Sequence, residues 1–193
     1  NLTVRATDSV ELSGEIAGDE KGFPGGLLAQ INITGSGKGG NLTIETGRLS
    51  VSDGSKVQVA TFGQGDAGNL LIRASQVDVF ETPKYNYFST GIFANVTTDP
   101  RTVNPPKGNG GNLTIETGRL RIRDGAEVSV STSGIGNAGT LRVRATDSVE
   151  VIGTGENGED SSLAANVNRN ARGKGGNLTI ETGRLVVKSS QVS

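Results

Sequence analysis

A chain of 193 residues with 33% hydrophobic and 4% aromatic side chains, 30 glycines and no cysteine, methionine, tryptophan or histidine cannot fill a spherical core with large side chains. The missing histidine and cysteine exclude Ser-His and Cys-His nucleophile systems, histidine-bound metals and thiolate zinc sites. A formal net charge of -1 gives no electrostatic footprint for nucleic acid, and no apolar run is long enough to insert in a membrane.

The first predicted element is "NLTVRATDSVEL" (1–12), whose apolar and polar residues alternate as in a strand. A polar loop, "SGEIAGDEKGFPGG" (13–26), leads to a further strand ending near Ile31. Then comes "GSGKGG" (35–40), with the glycine spacing of a phosphate loop. Such loops require a following helix, whose free amides hold the phosphate. Here the glycines run into the strand-like "NLTIET", and the spacing recurs before strands as "GQGDAG" (63–68) and "GIGNAG" (134–139). These glycines are therefore read as tight corners.

The next elements repeat. "GGNLTIETGRL" occurs letter for letter at 39–49, 110–120 and 175–185, alternating with "NLTVRATDSVEL" (1–12), "NLLIRASQVDV" (69–79) and "TLRVRATDSVEV" (140–151). Internal repetition lets a few aliphatic residues face one another many times. With each strand-opening residue as origin, the units are 1–40, 41–68, 69–111, 112–139, 140–176 and a partial 177–193. The second unit shows three alternating segments, "NLTIET", "RLSVS" and "KVQVA", separated by Gly47, by Asp53-Gly54 and by the glycine corner. The pattern predicts an all-β fold, a parallel β-helix or β-solenoid of three short strands per coil and about five and a half coils, as one segment over 1–193.

Stacking predicts inward columns. The first segment gives Leu2, Leu42, Leu70, Leu113, Leu141 and Leu178, then Val4, Ile44, Ile72, Ile115, Val143 and Ile180. The second gives Val10, Leu49, Val77, Leu120, Val149 and Leu185, then Leu12, Val51, Val79, Ile122, Val151 and Val187. For the third, Ile31, Val59, Val96, Val130 and Val167 are aligned, with Val192 extending the column. Outward, Arg5, Glu45, Arg73, Glu116, Arg144 and Glu181 alternate in sign, so that strands about 4.8 Å apart place opposite charges together. Asn1, Asn41, Asn69, Asn112 and Asn177, with Thr140 substituting once, predict an asparagine ladder at one corner. Four of the six Asn-x-Ser/Thr sequons fall on these corner asparagines, so the ladder rather than glycosylation explains them.

These copies of "GGNLTIETGRL", with "AGNLLIRASQVDV" (67–79) and "AGTLRVRATDSVEV" (138–151), make the whole chain resemble the secreted filamentous-haemagglutinin-like proteins of two-partner secretion, particularly the repeat-bearing ones of cyanobacteria. The resemblance implies a right-handed β-helix, a parent chain passed unfolded through an outer-membrane transporter, and an extracellular place at the bacterial cell surface, commonly in adhesion. It implies no cofactor.

Binding is expected on the loops of the long units: residues 13–26, 81–90, 97–110 and 153–162, the first, second and fourth of these emerging on one side. Phe80, Tyr85, Tyr87, Phe88 and Phe93 cluster there. Tyr85, Tyr87 and Phe88 form a candidate patch for a cell-surface glycan or protein; the competing reading folds these rings back as a satellite core. The acidic loop residues Asp19, Glu20, Glu156, Glu159 and Asp160 read as solvated charge rather than a calcium site. No column sets two carboxylates side by side, so the expected function is a non-catalytic structural and adhesive shaft, with copies joined end to end as a further expectation. The rival is a polysaccharide-binding or polysaccharide-cleaving β-helix.

Overall fold

The computed structural model describes the chain apart from residues 17–22, 82–87, 100–103 and 157. Among the described residues all regular structure is β. Strands β1 (Leu2–Ser13), β5 (Leu42–Ser52), β7 (Leu70–Phe80), β9 (Leu113–Arg123), β11 (Thr140–Ile152) and β13 (Asn177–Lys188) form one six-stranded parallel sheet in that order. A second parallel sheet is built in the same sense from β4 (Gly26–Ile31), β6 (Lys56–Thr61), β8 (Gly91–Val96), β10 (Glu127–Ser129), β12 (Ser161–Ala164) and β14 (Ser190–Val192). A short antiparallel pair, β2 (Glu15–Ile16) with β3 (Phe23–Pro24), lies in the first loop.

The first two predicted segments are not separate strands. They run on as a single strand of the first sheet, because the bend between them is absorbed within the ladder. In β1 and β11 one extra residue bulges out, shifting the register between Ala6 and Ser9 and between Ala145 and Ser148, whereas β7 pairs with both neighbours without a shift. The strands that face the bulges carry Thr-Gly-Arg. Gly47 leaves room for the bulge, since a Cβ there would stand 2.6 Å from the Asp8 carbonyl oxygen. In each of these strands the threonine hydroxyl donates to the carbonyl two residues on: Thr46 to Arg48 (3.3 Å), Thr117 to Arg119 (3.0 Å) and Thr182 to Arg184 (3.3 Å).

The glycine corners do more than turn the chain. Ser36, Gln64, Lys107, Ile135 and Arg172 pair in parallel as single bridges, forming a third, narrow face. Backbone bonds tie it together, from Gly37 N to Gln64 O (2.9 Å), Gly65 N to Lys107 O (2.7 Å), Gly108 N to Ile135 O (2.9 Å) and Gly136 N to Arg172 O (2.8 Å).

The core lies between these faces. All four aliphatic columns of the first sheet have the expected register, Leu2 on Leu42 on Leu70 through to Leu178 and likewise for the others. Leu42, Ile44, Leu49, Val51, Ile72, Leu113 and Ile115 are fully buried. Burial contributes about 1.5 to 3 kcal/mol for each such side chain, against a backbone ordering cost of about 1 to 2 kcal/mol per residue.

The single column expected for the third segment is wrong. Val59 pairs with Ala29 and Ala94, two residues away from Ile31. Ile31 aligns with Thr61, Val96, Thr132 and Val167, and Val130 lies outside that column. The continuous aliphatic column of this sheet is Leu27, Val57, Ile92, Val128, Leu163 and Val192. Threonines occupy alternate places in the Ile31 column, so apolarity alone aligned the wrong residues.

Candidate functional site

The outer surface of the first sheet carries the charge ladder. Each of its six members pairs in register with the next, and five contacts join them: Arg5–Glu45 (2.7 Å), Glu45–Arg73 (3.3 Å), Arg73–Glu116 (2.8 Å), Glu116–Arg144 (3.9 Å) and Arg144–Glu181 (2.9 Å). Further pairs reinforce it, Arg48 with Asp78 (3.0 Å), Arg121 with Glu150 (3.3 Å) and Arg142 with Glu181 (2.7 Å). The Arg5 guanidinium, with help from Arg73, holds the Glu45 carboxyl below the usual range; Arg142 and Arg144 do the same for Glu181. Glu116, then Glu45, raises Arg73 above its ordinary value. These groups are solvent-facing, so the ladder specifies register more than it adds stability.

A carboxylate whose pKa is lowered on folding stabilises the fold above its unfolded pKa, and that contribution disappears as pH falls through the lowered value. Unfolding midpoints measured from about pH 6 down to about pH 2 should therefore fall. In Glu45→Gln the fall should be shallower, and added salt should cost this variant less than the parent. Equal salt sensitivity in the two proteins would count against an electrostatic ladder.

The asparagine column is also a ladder, with a geometry different from stacked amides. The side-chain oxygen of each residue accepts from the backbone N–H of the next: Asn1 from Asn41 (2.9 Å), Asn41 from Asn69 (2.8 Å), Asn69 from Asn112 (3.2 Å) and Asn112 from Thr140 (3.1 Å). Thr140 has no side-chain amide, and among the described residues no side-chain bond carries the ladder to Asn177. Sequence reasoning missed a second ladder of the same kind in the glycine corners. Asp66 accepts from Asn109 N (2.7 Å), Asn109 from Asn137 N (3.0 Å) and Asn137 from Lys174 N (2.9 Å). Its signal was the residue that follows Gly65, Gly108, Gly136 and Gly173 in the corners.

In chain order the segments 13–26, 81–90 and 153–162 each join a strand of the first sheet to one of the second. Tyr85 and Tyr87 of the candidate patch lie outside the described residues, as do Asp19 and Glu20. Phe88 is half-buried, and Phe93 is only 4% exposed. The Lys56 ammonium lies 5.5 Å from the Phe88 ring centre and 5.3 Å from that of Phe93, while the Arg123 guanidinium lies 4.3 Å from that of Phe80. Each of these three phenylalanine rings thus has a cation close to its centre.

Glu127, two places along the column from Lys56, feels the charge of a second carboxylate, Glu159, that no column connects to it. Glu127 opens β10, where burial pushes its carboxyl above the usual range; Ser129 and Lys56 oppose this and Glu159 adds to it. Glu159 comes from the loop before β12, so alternation within strands could not reveal the pairing. The sign is opposite to that of the ladder, because a raised carboxyl favours the folded state at low pH and loses that advantage as pH rises through the raised value. Among the described residues no group of three or more potential metal ligands gathers. Asp160 instead accepts a hydrogen bond from the Thr154 hydroxyl (2.7 Å).

Set against protein-family models, curated proteins and solved structures, the chain matches none.

Proposed function

We propose that this chain is a non-catalytic structural and adhesive shaft segment of a large bacterial exoprotein, placed outside the cell or at its surface. In this reading the parallel sheets are coils of a right-handed β-helix, about five and a half over residues 1–193. The parent chain reaches the surface through an outer-membrane transporter, as the resemblance to filamentous-haemagglutinin-like proteins implies. One observation carries the reading. The regular positions of the first sheet are taken up by stacking inside and by the continuous Arg–Glu ladder outside, an arrangement that serves extension rather than chemistry.

Arg5 and Glu181 stand on the outermost strands of that sheet, so copies joined end to end would prolong the alternation. Incubation with a panel of acidic and neutral polysaccharides should release no reducing ends above the buffer background.

A second reading, polysaccharide cleavage, rests on Glu127 and Glu159. Glycoside hydrolysis uses a carboxyl raised by burial together with a second carboxylate, and burial raises Glu127 while the Glu159 charge adds to the shift. Release of reducing ends that vanishes in Glu127→Gln would establish this reading and sink the first.

A further inference from the structure

The net charge of -1 hides an uneven distribution. Residues 104–115, 132–146 and 161–180 contain no aspartate or glutamate. Within them Arg142 and Arg144 are engaged by Glu181. Lys107, Arg169, Arg172 and Lys174 are exposed, and among the described residues none of them has an ion-pair partner. Three of these four stand on the narrow third face: Lys107 and Arg172 in one column, Lys174 in the next.

The face is flat because its floor is glycine. A Cβ on Gly108, Gly136 or Gly173 would overlap the carbonyl oxygen of the glycine beneath. Lys107 and Arg172 flank Ile135 in their column, so the two cations are separated by two strand spacings, roughly 9 to 10 Å. Ile135 is 37% exposed and, among the described residues, is the one large exposed aliphatic away from β13. Asn109 and Asn137 lie alongside with their amides on the exposed edge. Asp66 is the single carboxylate of the face, and its Oδ1 accepts from the backbone and side chain of Asn109.

We propose that this third face is a docking strip for an acidic polysaccharide, with sugar carboxylates taken by Lys107, Arg172 and Lys174 and a ring face laid on Ile135. The cation spacing is close to that of alternate rings in an extended sugar chain. Single-stranded nucleic acid fits less well, because stretches 35–40, 63–68, 106–111, 134–139 and 171–176 hold no aromatic residue on which a base could stack. The proposal deepens the adhesive-shaft reading and rests on its being a binding surface rather than a catalyst.

The test is calorimetric titration of the 193-residue chain with polygalacturonate oligomers, comparing the parent with a triple variant, Lys107→Gln, Arg172→Gln and Lys174→Asn. Gln64 and Asn137 already occupy these columns, so the replacements suit the fold. Binding at low salt should weaken as salt rises and be at least about tenfold weaker in the triple variant. A gain variant, Asp66→Lys, should bind more tightly than the parent. No binding by the parent at low salt, or equal binding by parent and triple variant, would overturn the proposal. A single-stranded oligonucleotide bound as tightly as the polymer would overturn the ligand class. Reducing ends measured in the same samples separate the two ideas: cleavage would defeat the non-catalytic reading while leaving the strip in place, and lost binding without cleavage would do the reverse.

Discussion

Gly136→Ala should destabilise the fold by more than about 3 kcal/mol, read as a shift in the urea midpoint. Its φ of +143° already disfavours an L side chain, a penalty of about 1 to 2 kcal/mol. Steric overlap costs more, because the new Cβ would collide with the Gly108 carbonyl oxygen, and relief means parting two bridged strands. Two other glycines isolate the cause. Gly37 shares the column and has φ +121°, but a Cβ there meets nothing within 4 Å, so Gly37→Ala should cost only the conformational part. Gly175 lies two residues after Gly173, where the corresponding corner residues 67 and 138 are already alanine; its nearest contact would be Ala165 O at 3.7 Å. Gly175→Ala should be neutral within about 0.5 kcal/mol. If Gly136→Ala were no worse than Gly37→Ala, close stacking of the corners would be refuted.

Ile72→Ala should cost about 2 to 5 kcal/mol. Ile72 is fully buried between Ile44 and Ile115, so the lost methyl groups leave a gap that neighbouring strands cannot close without breaking register. The same change at Ile180, which is only partly buried on the outermost strand β13, should cost less than half as much. Where each layer touches only its neighbours, stability is a sum of local contributions and depends on position along the stack. Equal penalties at the two sites would argue against this layered organisation.

The first sheet was legible because its segments keep nearly constant spacing from the corner, so Leu42, Ile44 and Glu45 could be aligned with Leu70, Ile72 and Arg73 by counting. The alternation of charge checked that count. The second sheet was harder to read because loops of unequal length precede its strands, and because Thr61 and Thr132 interrupt the column of Ile31, Val96 and Val167. The charge of Glu159, on a loop, acts on Glu127, on a strand, and periodicity along the chain does not reveal that influence. The basic strip was hidden differently: Lys107, Arg172 and Lys174 look unremarkable singly, and stand out only once the carboxylates of the first sheet are seen to be engaged by its arginines.

The sign of the outward charge reverses with every layer of the first sheet, which restricts how such a gene can grow. Removing residues 69–111 would set Glu45 on Glu116 and bring two like-charged strands into contact. Removing 69–139 would instead rest Glu45 on Arg144 and restore the match. Insertions and deletions should thus be inherited in even numbers, with the doublet of one arginine-type and one glutamate-type layer as the smallest segment that recombination can gain or lose without penalty.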